Sequence, residues 1–161
     1  MNEIDTDCQD VGKPPLGELL PHAEPMVLLS DYDPPRGDAE ATAYVDVSPE
    51  SPFFDVAAGG VPGCVALEYM AQTAALLMGW RRRREGLPPQ IGFLLAARGL
   101  EVKIPFFRPG ARYAVRVAVA YEDEQFGSSD ATVADDGGNV VASAQLMACQ
   151  TPEAAGTEVV G

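Results

Sequence analysis

The chain holds one histidine, His22, and one carboxylate, Glu68, set inside its longest stretch of helical apolar character. Glu68 lies in "GGVPGCVALEYMAQ", where a turn of glycine and proline runs into small and apolar residues. An ionised carboxylate in apolar surroundings is costly unless it is paired or used. Glu68 therefore reads either as a site carboxylate or as a surface residue on a partly exposed turn. Gln72 follows one turn later on the same helix face, where it could orient Glu68. Histidine is the side chain best suited to proton transfer near neutral pH. His22 reads either as a hydrogen-bonded residue fixing an N-terminal turn or as a base that enters the site. An imidazole and a carboxylate brought together could take one proton and deliver another, which is general acid–base chemistry.

The cysteines offer less. Cys64 opens the helix, a position that invites a nucleophile, although the need for a small residue beside the turn explains it as well. Cys8, Cys64 and Cys149 have no metal-ligand spacing. With a single histidine beside them, no metal site is expected.

The elements that must position these residues follow from pattern. "PLGELLPH" suits a short helical turn stopped by Pro21. "MVLLSDY", Met26 to Tyr32, reads as a short buried strand, and the alternating "AEATAYVDV", Ala39 to Val47, as its hairpin partner. Cys64 to Arg82 is the one long helix, apolar on nearly every face and hence a core helix. "QIGFLLAARGLEVKI" reads as one long strand, or two, with a bulge near Gly99. "YAVRVAVAYED" alternates cleanly. "GSSDATVADD" and "NVVASAQLMACQ" flank an Asp-Asp-Gly-Gly turn, a hairpin signal. The order is two strands, one buried helix, then about four strands, an α+β layout in which the sheet wraps the helix. One helix covers one face, so the sheet is expected to continue across a dimer partner.

At 161 residues the chain is read as one domain. Its net charge of -13 argues against nucleic acid, because a phosphate binder needs a basic surface. No apolar run reaches the length of a membrane span, and the acidic, polar start does not read as a signal peptide, so a cytoplasmic protein is expected. The one basic run is Arg81 to Arg84, at the helix end where cations complement the dipole. It reads as a solvated cap or as a docking patch for an acidic partner such as an acyl carrier protein.

Five segments in order, "LLPHAEPMVLLSDY", "SPFF", "VPGCVALEYMAQ", "PFFRPG" and "VVASAQLMAC", resemble the hotdog-fold 3-hydroxyacyl-acyl-carrier-protein dehydratases, and within them the aryl-polyene-type branch. The resemblance runs from about Leu19 to Cys149. It implies a long central helix wrapped by a curved antiparallel sheet, two such units pairing as a double hotdog, and active sites at their interface. The polar residues 1–15 and the small, acidic 151–161 are expected to be flexible tails, with 16–150 the hotdog domain. The implied substrate is a 3-hydroxyacyl thioester on the phosphopantetheine of an acyl carrier protein, with no further cofactor.

The resemblance gives Glu68 the acid or water-positioning role and implies amides at the helix start as donors to the thioester carbonyl. Substrate contacts are then expected from Phe54, Gly60, Pro62, Gly63, Cys64 and Gln72. The family's base, a histidine between "PFF" and the "PG" turn, does not carry over: Asp55 to Val61 reads DVAAGGV. His22 matches a position the family treats as structural. Three functions remain open: a dehydratase in which Glu68 acts with His22 or with a partner's histidine; a catalytically incomplete hotdog subunit that pairs with an active dehydratase; and a hotdog thioesterase in which Glu68 activates water or attacks the thioester.

Overall fold

The computed structural model describes residues 12–151. Helix α1 spans Leu16–Leu19 and strands β1 and β2 span Asp31–Asp33 and Glu40–Asp46. A two-residue strand β3, Val61–Pro62, leads through a 3-10 turn, Gly63–Val65, into the long helix α2, Ala66–Arg84. Then come β4 (Gly92–Val102), the two-residue β5 (Phe106–Phe107), β6 (Arg112–Glu122), β7 (Phe126–Ala134) and β8 (Val140–Gln150). The main sheet is antiparallel in the order β1-β2-β6-β7-β8-β4, and β3 pairs with β5 apart from it.

The sheet curves around α2 because its inward face is built from small and β-branched side chains. Ala41, Ala43 and Val45 alternate inward on β2, Val115 and Val117 on β6, Ala131 and Val133 on β7, and Ala142, Ala144 and Leu146 on β8. Alternation puts every second residue on that face. The helix answers with Tyr69, Met70, Leu76 and Leu77, all buried. Tyr69 stacks edge-on against Phe107, and Phe107 against Tyr113, at 5.2 and 4.8 Å. The helix ends where Gly86 takes a left-handed φ of 74°. Its amide and that of Leu87 then cap Arg83 O and Arg82 O.

The α+β hotdog layout expected from the sequence is therefore present: one long helix wrapped by one antiparallel sheet. Strand β4 carries bulge-like register shifts at Leu94/Ala96 and Arg98/Glu101, with Gly99 at φ 59°, as its sequence suggests. One element differs. Of "MVLLSDY" only Asp31 and Tyr32 fall in a strand, β1. Met26 to Leu28 form an extended strap instead, because their backbone groups are claimed by a side chain of α2 rather than by a neighbouring strand. Most of the expected tails lie outside the described residues. Within 12–15, Pro14 is buried and its carbonyl accepts a hydrogen bond from Tyr32 Oη, while Lys13 pairs with Asp31.

α1 crosses α2 at Gly79. A Cβ built there would stand 1.8 Å from Leu19 O, so only glycine permits the approach. Gly79→Ala should force the two helices apart and cost about 1–3 kcal/mol. Urea denaturation of the purified variant checks this; an unchanged midpoint and slope would show that the crossing can relax freely.

Candidate active site

Glu68 stands in the first turn of α2 and His22 just beyond α1, on the strand-like strap that follows Pro21. Their side chains meet: His22 Nε2 lies 3.5 Å from Glu68 Oε1. The two are 29% and 40% exposed, so the carboxylate is not a charge locked into an apolar helix. It faces a cavity and keeps part of its hydration. His22 is not a hydrogen-bonded anchor of the N-terminal turn either: its Nδ1 is buried without a hydrogen-bond partner, and its other nitrogen faces Glu68.

Gln72 holds the carboxylate from behind. It is fully buried. Its Oε1 accepts from Leu28 N at 2.9 Å, and its Nε2 donates to Met26 O at 2.7 Å and to Glu68 Oε1 at 3.0 Å. One amide side chain thus fixes the strap downstream of His22 and the carboxylate opposite it.

The pair sits at the head of a cavity of about 250 Å³ that runs along α2. Helix positions Glu68, Ala71, Ala75, Met78 and Arg82 face it, a stripe at three- and four-residue spacing. Phe93 and Leu94 from β4, Phe126 from β7 and Leu146 from β8 wall it. This second stripe explains why α2 looks apolar all round. One face packs on the sheet and another lines a cavity. The helix spacing is legible in the sequence; the strand residues are not, because nothing local marks which strands close over the stripe.

The other expected substrate contacts fall elsewhere. Phe54, Gly60, Pro62, Gly63 and Cys64 do not line this cavity. The amide of Gly63 donates to Pro105 O at 2.8 Å and that of Gly60 to Asp55 O at 3.2 Å. Both are therefore spent within the chain and are not free donors for a carbonyl. These glycines are needed for close approach: a Cβ on Gly63 would lie 2.2 Å from Ile104 O, and one on Gly60 2.5 Å from Phe107 O. Phe54 packs against the core and Cys64 is exposed. The loop from Asp55 to Gly60 is a closed turn, bridged at its ends and held by Arg108, whose guanidinium donates to Ala58 O at 2.9 Å.

The arginine run is engaged within the chain as well. Arg81 grips both oxygens of Glu122 at 2.8 Å, Arg82 reaches Pro88 O and Gln90, Arg83 pairs with Glu18, and Arg84 with Asp38 at 2.8 Å. Four adjacent arginines thus bind four separate segments to the end of α2. That accounts for a run longer than a helix cap requires.

Fold and cavity together define a hotdog protein, with an imidazole–carboxylate pair at the head of an apolar channel. Known proteins agree. Residues 14–158 match the ApeP-like family, described as ApeP dehydratase. The chain is 32% identical over 134 residues to the 3-hydroxyacyl-[acyl-carrier-protein] dehydratase FabZ of Anaeromyxobacter dehalogenans strain 2CP-C, covering 81% of this chain and 85% of that one. A chain of the dehydratase heterocomplex ApeI:P from Xenorhabdus doucetiae superposes with a TM-score of 0.81 at 29% identity, over 88% of this chain and 94% of that one. A thioesterase from Streptococcus pneumoniae TIGR4, solved with coenzyme A, superposes with a TM-score of 0.59 at 11% identity, over 77% and 88% of the two chains, which speaks to the fold alone. The chain belongs to the ApeP-like dehydratase family. Among the described residues no helix is long and apolar enough to cross a membrane.

Gln72→Leu keeps the size of the side chain but strands Leu28 N and Met26 O. Leaving buried backbone groups unsatisfied should cost about 2–4 kcal/mol, read as a lowered urea midpoint. Amide hydrogen exchange at Leu28 should accelerate first; unchanged exchange there would show that another group holds the strap.

Proposed function

We propose that the protein dehydrates 3-hydroxyacyl thioesters presented on the phosphopantetheine arm of an acyl carrier protein, using His22 as base and Glu68 as acid. The observation that carries this is the 3.5 Å contact of His22 Nε2 with Glu68 Oε1 at the head of the cavity, in a chain of a dehydratase family. The reaction removes a proton from C2 and hydroxide from C3. The imidazole takes the C2 proton. The carboxyl group gives its proton to the departing hydroxyl, so that water leaves and the trans-2-enoyl thioester remains. The proton on His22 then passes back to Glu68 across the short gap, which resets the pair. Glu68 stands in the first turn of α2, where the helix field favours negative charge as it develops. The loop of Asp55 to Gly60 has no part in this reading: it holds no imidazole, it does not line the cavity, and its one carboxylate, Asp55, accepts a hydrogen bond from Ala58 N within the loop.

Given a 3-hydroxyacyl-carrier thioester, the protein should release water, seen as an enoyl product by mass spectrometry. His22→Ala and Glu68→Gln should each lower the rate by about 10²–10⁴-fold with little change in thermal unfolding. Release of free acid would point instead to thioester hydrolysis. Activity untouched by Glu68→Gln would remove the carboxylate from the mechanism.

A second reading concerns assembly. β4 is an edge strand with its outer side unpaired, and it exposes Ile91, Phe93, Leu95 and Leu100 beside or along it. An unpaired apolar edge is a template for another strand. We infer that a second hotdog subunit docks there and continues the sheet. A different chain is favoured over a second copy, in keeping with the heterocomplex ApeI:P and with the like charge of two chains at -13 each. Light scattering should show a defined dimer with such a subunit, and Leu95→Arg should weaken it by at least about tenfold. Should turnover begin only when that subunit is added, catalysis is shared between the two chains.

A further inference from the structure

The surface beside the start of α2 has no part in the cavity. There β3 and β5 pair, Val61 opposite Phe107 and Pro62 opposite Phe106. The pairing sets the loop before β3 against the residue after β5, which is why Arg108 reaches Ala58 O. The loop is held from within: Phe54 N donates to Ser51 O, Asp55 N to Gly60 O at 2.8 Å and Gly59 N to Asp55 O at 2.7 Å. Yet this well-held loop presents apolar side chains to water. Val56 is 86% exposed, more than any other exposed large hydrophobic residue described, and Phe53 is exposed with it. Phe53 also takes a left-handed φ of 65°, alone among the described residues other than glycine. A residue with a Cβ pays for that conformation, and such strain gathers at binding and catalytic sites.

Cations gather at the same place. Arg36, Arg98, Lys103 and Arg108 pair with no carboxylate among the described residues. Arg36 stands in a turn between Asp33 and Asp38, and Arg98 lies on β4, where a second subunit is inferred to dock. Lys103 and Arg108 flank β5 and are exposed. The nearby carboxylates of these two segments are Glu101 and Asp55, and Asp55 accepts from Ala58 N. In a chain with 24 acidic and 11 basic residues, an apolar loop tip beside two unpaired cations reverses the general charge of the surface. It also stands at the catalytic end of the helix. Gly63 N donates to Pro105 O, between the two cations in sequence, and Glu68 lies about 8 Å further along the helix start. A phosphopantetheine arm, extended at roughly 1.3 Å per bond, spans about 18 Å.

We propose that Phe53, Val56, Lys103 and Arg108 form the docking surface for the acyl carrier protein, with the two cations meeting acidic side chains of the carrier and the loop tip packing at the centre of the contact. The inference rests on the dehydratase reading for the identity of the partner, but its test does not depend on turnover. Charge decides among occupants. A second copy of this chain would bring the same cations against these. An anionic membrane would repel the rest of a chain at -13. An acidic protein surface is attracted here and repelled elsewhere, which fixes where it lands as well as how fast. The loop's internal hydrogen bonds hold Val56 ready before the partner arrives, so little ordering is left to do on binding.

Fluorescence anisotropy with a labelled acyl carrier protein bearing its phosphopantetheine arm tests this on the full-length protein. Lys103→Glu and Val56→Asp, two exposed changes, should each weaken carrier binding by at least about tenfold. Calorimetric binding of a 3-hydroxyacyl-pantetheine analogue, which lacks the carrier, should stay as in the wild type. Arg108→Lys keeps the charge but gives up the clasp on the loop, and should weaken the carrier less than Arg108→Glu. Raising the salt should weaken the wild type more steeply than Lys103→Glu, because exposed charges are screened. Carrier affinity unchanged in both Lys103→Glu and Val56→Asp would overturn the proposal. So would loss of a second hotdog subunit from these variants with carrier binding intact, since the surface would then belong to that subunit. Carrier binding that these changes weaken, in a protein that dehydrates neither carrier-borne nor pantetheine-borne substrate, would uphold the docking surface and overturn only the reaction.

Discussion

The side-chain amide of Gln72 is the joint on which the site depends. Two of its three hydrogen bonds tie a helix to a strap that has no strand to pair with. Backbone groups buried without partners are expensive. Met26 and Leu28 would be left in that state if the strap lay against an apolar helix face, so α2 supplies one polar residue at that level. The same amide then reaches Glu68. The carboxylate and the strap that follows His22 are thus held by one buried group, itself immobilised by the core around it.

That economy explains what could be read from the sequence. The helix, the hairpin of β1 and β2, and the alternation of β6 and β8 are local patterns, and they appear where the residues suggest. Glu68 is conspicuous for the same reason: a charge among alanines and leucines. The meeting of His22 with Glu68 is not local. It depends on a chain reversal after α1 and on a glycine on another helix, and neither leaves a periodic trace. "MVLLSDY" has the composition of a buried strand, and Leu28, Leu29 and Tyr32 are buried, but Gln72 takes the hydrogen bonds that a neighbouring strand would have taken. Gly60 and Gly63 look like a ligand-binding turn because glycine permits close approach. What approaches is the backbone of Ile104 and Phe107.

The charged residues show a similar division of labour. With 24 acidic and 11 basic residues, the chain has few cations to place. Most of those described are used internally, including all four at the end of α2. Exposed ion pairs contribute little each, about 0–1 kcal/mol. Their value here is positional: they fasten α1, the turn after β1 and the end of β6 to one helix terminus.

The contact of Leu19 with Gly79 brings main chain against main chain, with no side chain between them. Packing made by side chains drifts as core residues exchange, because neighbours of different volume shift the elements by fractions of an ångström. A backbone-to-backbone seat has no such tolerance. The distance from α1 to α2, and so the reach of His22 toward Glu68 three residues past Leu19, is buffered against changes in the surrounding core. Drift in the lining of the cavity can therefore proceed while His22 and Glu68 stay in register.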